Sequence, residues 1–178
     1  MKDNRGVTLT EVLTIVSIVS ILAVALSFSY IGWMGNYRIE SATKDLYADL
    51  MEAKMRALTR ARVYFVTIDT TQYTIQDDLD PWPDGDAALT GADSTRPAGY
   101  GDPIPLLQKT LPNNYELKMI SAGALPQTLT INPRGLITPK ISFRIDNTIN
   151  PDYDCFLIDQ TRIVMGKYNG TTSVCDPK

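Results

Sequence analysis

Two pairs of residues in this chain have types and spacings that can do chemistry. The first is Gly6 with Glu11, set in the run Arg5-Gly6-Val7-Thr8-Leu9-Thr10-Glu11 that opens directly into an apolar segment. A cut after Gly6 would make Val7 a new terminus, with a protonated amine at nearly the depth of the Glu11 carboxylate. A carboxylate at the head of a bilayer helix costs about 2.5 to 3.5 kcal/mol on insertion scales, so such groups are rare without a cationic partner. The Val7 amine of one copy would neutralise Glu11 of a neighbour. A local alternative needs no partner: an acid in the first turn of a helix gains about 0.3 to 1 kcal/mol from the macrodipole, although that does not account for Gly6.

The other pair is Cys155 and Cys175, the chain's two cysteines. In an oxidising compartment they are expected to form a disulfide, and closing a loop of about 20 residues is worth roughly 3 kcal/mol in the chain-entropy model. Two separate buried thiols are the alternative. Histidine is absent, which excludes serine–histidine and cysteine–histidine catalysis and removes a leading zinc ligand. No Gly-rich phosphate loop precedes a helix. The loop aspartates converge on no nucleophile, so no enzyme activity and no cofactor are expected.

The elements that would position these residues begin with residues 12–31, which carry no charge. At 1.5 Å per residue this helix spans about 30 Å, the thickness of bilayer hydrocarbon. Ser17, Ser20, Ser27 and Ser29 are small polar residues of the kind used in helix contacts in lipid. Lys2 and Arg5 on the short N-terminal side place the remainder across the membrane. A competing reading takes the same region as an ordinary secretory signal, with Ala23-Val24-Ala25 as the cleavage site and a soluble secreted binding protein as the product. Gly32 and Gly35 weaken the helix and suggest a hinge there.

Beyond Gly35 the apolar positions Ile39, Ala42, Leu46, Leu50, Ala53, Ala57 and Ala61 recur by threes and fours. Glu40, Lys44, Glu52, Arg56 and Arg60 remain for the solvated side. Tyr47, Met51, Met55 and Leu58 are expected to widen the apolar face. The helix should end near Arg62. Strand patterns follow at 63–68 and 73–75, joined as a hairpin, and again at 106–111, 115–120, 128–132, 141–145, 155–158 and 162–165, separated by turn residues. The expected fold class is α+β: a long N-terminal helix, membrane-spanning then amphipathic, packed on an antiparallel β-rich C-terminal domain.

Residues 77–103 differ in character. Asp77, Asp78, Asp80, Asp84, Asp86, Asp93 and Asp102 are offset only by Arg96. A long loop of this kind is usually functional or disordered, and with Trp82 and Tyr100 it is read as a solvated, partner-facing element. Asp80, Asp84, Gly85 and Asp86 hint at a calcium loop, but Trp82 stands where an oxygen ligand is needed, so calcium is not expected. The formal net charge is −3 for the 178 residues. Such an acidic body does not attract nucleic acid through bulk electrostatics.

The opening residues resemble the class III signal of type IV pilins and type II secretion pseudopilins: a charged leader, here Met1-Lys2-Asp3-Asn4-Arg5-Gly6, an apolar residue after the Gly, and Glu five positions on. Relatives usually read Phe-Thr-Leu-Ile-Glu after the Gly, so Val7 and Thr10 depart from the pattern while Gly6 and Glu11 keep it. The resemblance implies cleavage after Gly6 by a prepilin peptidase, N-methylation of Val7, and a register-setting role for Glu11 in assembly. It divides the chain into a leader, 1–6, a transmembrane and assembly half-helix, 7–35, and a periplasmic or extracellular globular domain, 36–178.

The order of elements and the Ile131-Asn132-Pro133-Arg134-Gly135 turn look like the minor pseudopilin H and fimbrial T branch. The implied function is a minor subunit that helps initiate or cap a type IV pilus or type II secretion pseudopilus. It would be anchored once in the inner membrane before entering the filament, with other pilins and the inner-membrane assembly platform as partners. Some fimbrial T relatives bind DNA through Gly-Arg-x-Arg near the C-terminus. The corresponding place here is Gly166-Lys167-Tyr168-Asn169, with one cation where two are needed, so DNA binding is not expected.

Overall fold

The computed structural model describes residues 8–79, 85–90 and 107–178, with the side chains of 25–32 and of Asn114 left aside. One helix, α1 (Leu9–Arg60), takes up 52 residues, a rod about 78 Å long. It runs through Gly32 and Gly35 without a break, so the expected hinge is absent. The helix stops at Ala61, which adopts the left-handed conformation (φ 52°) and donates its N–H to the carbonyl of Ala57, a helix-ending turn normally given to glycine.

Among the described residues ten strands follow: β1 (Tyr64–Ile68), β2 (Gln72–Asp77), β3 (Leu107–Thr110), β4 (Leu117–Met119), β5 (Gln127–Ile131), β6 (Ile137–Thr138), β7 (Ile141–Ile145), β8 (Cys155–Ile158), β9 (Ile163–Asn169) and β10 (Val174–Pro177). They form two antiparallel sheets, ordered β3-β2-β1-β5-β6 and β10-β9-β8-β7-β4. The β1–β2 hairpin pairs Val66 with Ile75. It closes without a Gly turn, since the Asp69 carboxylate accepts the Thr70 N–H and the Asp69 N–H donates to the Gln72 carbonyl.

The core lies where the second half of α1 meets both sheets. Ile39, Leu46, Leu50 and Ala57 are fully buried there with Val66, Leu129, Phe143 and Phe156, and α1 touches β1, β5 and β9. Each buried leucine of this kind is worth about 2 to 5 kcal/mol against alanine. Tyr47 and Met51 pack on the edge of this core, whereas Met55 and Leu58 are exposed. The apolar face is therefore narrower than its sequence suggested, because the sheets cover the helix only along one stripe. Leu58 is not idle, since it lies 3.1 Å from where a side chain on Gly135 (φ +72°) would begin. The Asn132–Gly135 turn needs glycine both for its conformation and to fit under the helix.

Asp77 and Asp78 do not belong to a solvated loop. Asp77 closes β2 opposite Tyr64 and lies 3.7 Å from Arg60. Asp78 is 1% exposed and accepts the backbone N–H groups of Asp86 (3.2 Å) and Ala87 (2.7 Å). Gly85 (φ +74°) abuts the same carboxylate so closely that no Cβ would fit. Both acids are carried inward at the end of β2, and Asp78 then folds residues 85–87 back onto the body. Asp80, Trp82, Asp84, Asp93, Arg96, Tyr100 and Asp102 lie outside the described residues, and with them the calcium question.

Candidate functional site

The N-terminal end of α1 is built by a cap. Thr8 precedes the helix in an extended conformation, and its hydroxyl accepts the N–H of Glu11 at 3.3 Å. Thr8-Leu9-Thr10-Glu11 is thus a capping-box sequence, and it sets Glu11, exposed, in the first helical turn. The helix macrodipole therefore favours Glu11 locally, and its carboxylate remains exposed. Gly6 and Val7 lie outside the described residues.

From Leu9 to Val24 the helix is apolar on every side and nothing covers it: Val12, Leu13, Ile15, Val16, Ile18, Val19, Ile21 and Leu22 are all about half exposed or more. Helices that are hydrophobic all round belong in a core or a membrane. The hydroxyls of Thr14, Ser17 and Ser20 are satisfied within the helix. Ser17 donates to the Leu13 carbonyl at 2.6 Å, Ser20 to that of Val16 at 2.7 Å, and Thr14 to that of Glu11 at 2.9 Å. Hydroxyls bonded back into their own helix ask nothing of the medium around it. Among the described residues no helix is long and apolar enough to cross a membrane, residues 25–32 of the uncharged run being outside the described side chains.

Where the helix enters the body, Trp33 and Tyr37 are exposed and stacked, with ring centroids 6.0 Å apart. Gly35 lies between them in sequence, and the Ile149 side chain comes within 2.8 Å of where its Cβ would stand. This explains the glycine by close approach rather than bending. The β7–β8 loop then clasps the helix: the Asp152 N–H donates to Glu40 at 3.0 Å, and Thr43 donates to the Tyr153 carbonyl at 3.2 Å. Ile39, one turn above Gly35, is the first fully buried residue among those described.

No protein-family model and no curated protein sequence matches the chain. Among solved structures it is similar to the minor pseudopilin EpsH from the Type 2 Secretion System of Vibrio cholerae, at 16% identity and a TM-score of 0.51 over 73% of this chain and 97% of that one. The type IV minor pilin FimU of Pseudomonas aeruginosa (strain PAO1) aligns at 16% identity over 71% of this chain and 87% of that one, with a TM-score of 0.47. The fold likeness rests on the first. The chain shares its fold with that protein.

A disulfide joins Cys155 and Cys175, with Cα atoms 5.9 Å apart. Their strands, β8 and β10, are not neighbours, since β9 lies between them. In a flat sheet next-but-one strands are about 9.5 Å apart, so β10 must curl over β9. Gly166, on β9 opposite Cys155, permits this, because a Cβ there would run into the Asp176 carbonyl and stand 3.0 Å from the Cys175 sulfur. Gly166 thus serves the strap. In the DNA-motif region, Lys167 pairs in register with Asp176 and Tyr168 lies under Arg144, 4.3 Å from its ring centre.

A buried carboxylate escaped sequence reading. Asp49 of α1 is 8% exposed, accepts the Tyr73 hydroxyl, and receives Lys109 Nζ at 2.6 and 2.9 Å. Burial first, then the bond to Asp49, push the Tyr73 phenol well above its ordinary value. The cluster ties the edge strand β3 to α1 beside a small cavity of about 190 Å³ that Glu52, Arg56 and Asp77 also line. Asp49 falls one position before Leu50 on the helical wheel, where it reads as part of the solvated face. Among the described residues no three histidine, cysteine or carboxylate side chains converge as a metal site.

Proposed function

We propose that the chain is a minor pilin or pseudopilin, a structural subunit that helps initiate or cap a type IV pilus or type II secretion pseudopilus. The observation that carries this is the division of α1. Its first half projects, apolar on every side with its hydroxyls turned inward, while its second half is the spine of a β-rich body. The EpsH-like fold supports it. In this reading residues 12–31 anchor the precursor once in the inner membrane, and a prepilin peptidase cuts after Gly6. The Val7 amine of one subunit then meets Glu11 of the next as the helices bundle. The assembly platform and other pilins are the partners, and no catalytic residue or cofactor takes part.

N-terminal sequencing of the protein made beside a prepilin peptidase tests the reading. The expected product begins at Val7. A product beginning at Leu26 would instead make it a secreted protein cut after Ala25. Glu11→Gln should leave cleavage and membrane insertion intact. Losing a pair worth about 1.4 kcal/mol would lower filament incorporation about tenfold, and undiminished incorporation would remove the role given to Glu11.

A further inference from the structure

Three residues at the neck of the molecule lie within about 6 Å of one another along the helix axis. Trp33 and Tyr37 stack on one side. At 100° per residue, Gly35 faces about 160° away from both and sits about 3 Å along the axis from each. Ile149, packed on Gly35, therefore lies across the helix from the ring pair at the same height. All three side chains are exposed: Trp33 63%, Tyr37 58% and Ile149 37%. One residue above is the exposed cation Arg38, and then the buried core begins.

We propose that Trp33, Tyr37 and Ile149 form a collar that seats the β-rich body on the headgroup layer of a phospholipid bilayer. This rests on the membrane-anchored reading above and adds to it the depth and orientation of the body. The occupant follows from the distances along the helix. The uncharged residues 12–31 match the hydrocarbon thickness of about 30 Å, so the next turn emerges at the boundary. Tryptophan and tyrosine favour that boundary because each presents an apolar ring and a polar edge. Ile149 supplies apolar contact on the side where the rings do not reach. The Asp152–Glu40 and Thr43–Tyr153 bonds fix its loop to α1, so the body is held at a set height above the lipid instead of swinging on a tether.

The test uses the full chain with Trp82→Phe, leaving Trp33 as the lone tryptophan, reconstituted at low density in phosphatidylcholine vesicles brominated either near the headgroup end or near the terminus of the acyl chain. A companion protein carries Trp33→Phe, Trp82→Phe and Ile149→Trp. Both tryptophans are expected to be quenched about twofold more by the shallow bromines than by the deep ones, as residues at the membrane interface are. Equal or stronger quenching of Trp33 by deep bromines would overturn the collar. So would a position 149 that neither lipid quenches while circular dichroism shows the variant folded. Should the Ile149→Trp chain fail to fold, the Trp33 result decides alone. A shielded but unquenched Trp33 that becomes exposed on dilution would show another copy covering the face, and would also overturn it. Failure to float with vesicles at all would remove the membrane anchor itself, whereas flotation with unquenched tryptophans would remove only the collar.

Discussion

Replacing both cysteines, Cys155→Ala with Cys175→Ala, isolates what the strap over β9 contributes. The bond closes a sequence separation of 20 residues, for which the chain-entropy relation gives about 3 kcal/mol. The two side chains are almost wholly buried, so alanine is the right replacement, since serine would add a buried hydroxyl and its desolvation cost. For a chain of this size about 3 kcal/mol corresponds to a fall in Tm of roughly 6 to 12 °C. The measurement is urea unfolding of the full chain in detergent, followed by the near-ultraviolet signal of the body, with wild type compared before and after reduction. The reduced wild type and the double mutant should agree. Because β10 is an edge strand bent over its neighbour, amide exchange at Cys175 and Asp176 should also rise well above that of β8. A loss below about 1 kcal/mol would refute the argument, since β10 would then be held by its ladder with β9 alone and the need for Gly166 would have another cause.

Lys109→Ala leaves Asp49 with only the Tyr73 hydroxyl in a nearly closed site. It should cost about 2 kcal/mol in urea unfolding, more than Lys140→Ala, which breaks a wholly surface pair with Asp159. The raised Tyr73 phenol means that the folded state holds a proton which the unfolded state releases near the ordinary tyrosine value. Stability is therefore full below that value and falls as pH rises above it, and Tyr73→Phe should flatten this alkaline decline. Ala61→Gly relieves the left-handed helix end and should stabilise by about 0.5 to 1 kcal/mol once glycine's larger unfolded-state entropy is counted. An unchanged urea midpoint would place the helix end elsewhere.

The parts of this fold that sequence made legible are those governed by short-range repetition. The three-and-four spacing from Ile39 to Ala57 is the buried stripe of α1, and the alternation in Tyr73-Thr74-Ile75 is the strand β2 paired with β1. Strand β6 escaped because two residues cannot show a period, and β10 escaped because Val174-Cys175-Asp176-Pro177 is held by a curl and a covalent bond. Gly35 and Gly166 were visible as residues but not as fittings. Gly35 has the sequence signature of a helix break and is a seat for Ile149, while Gly166 opens a would-be charge motif and is clearance for the disulfide strap. What each glycine does depends on a side chain or strand remote in sequence, and no local rule supplies that partner.

The same distinction separates the two ends of α1. In residues 39–57 the pattern has two faces because one face meets protein, and the identity of the medium on the other can be read from Glu52, Arg56 and Lys44. In residues 9–24 there is no face to read. Every direction is apolar, and the hydroxyls of Ser17 and Ser20 are spent on their own backbone. Such a segment specifies its surroundings but not a partner within them, since any apolar medium, lipid or a bundle of like helices, satisfies it equally. The choice must then come from the few groups the medium does not satisfy. In the first turn that group is Glu11, held in place by the Thr8 cap and costly in lipid until a cation arrives. In the proposed reading, a helix indifferent along its length and demanding at its tip would pass from membrane to filament without refolding, and the Val7–Glu11 pair would then set its register.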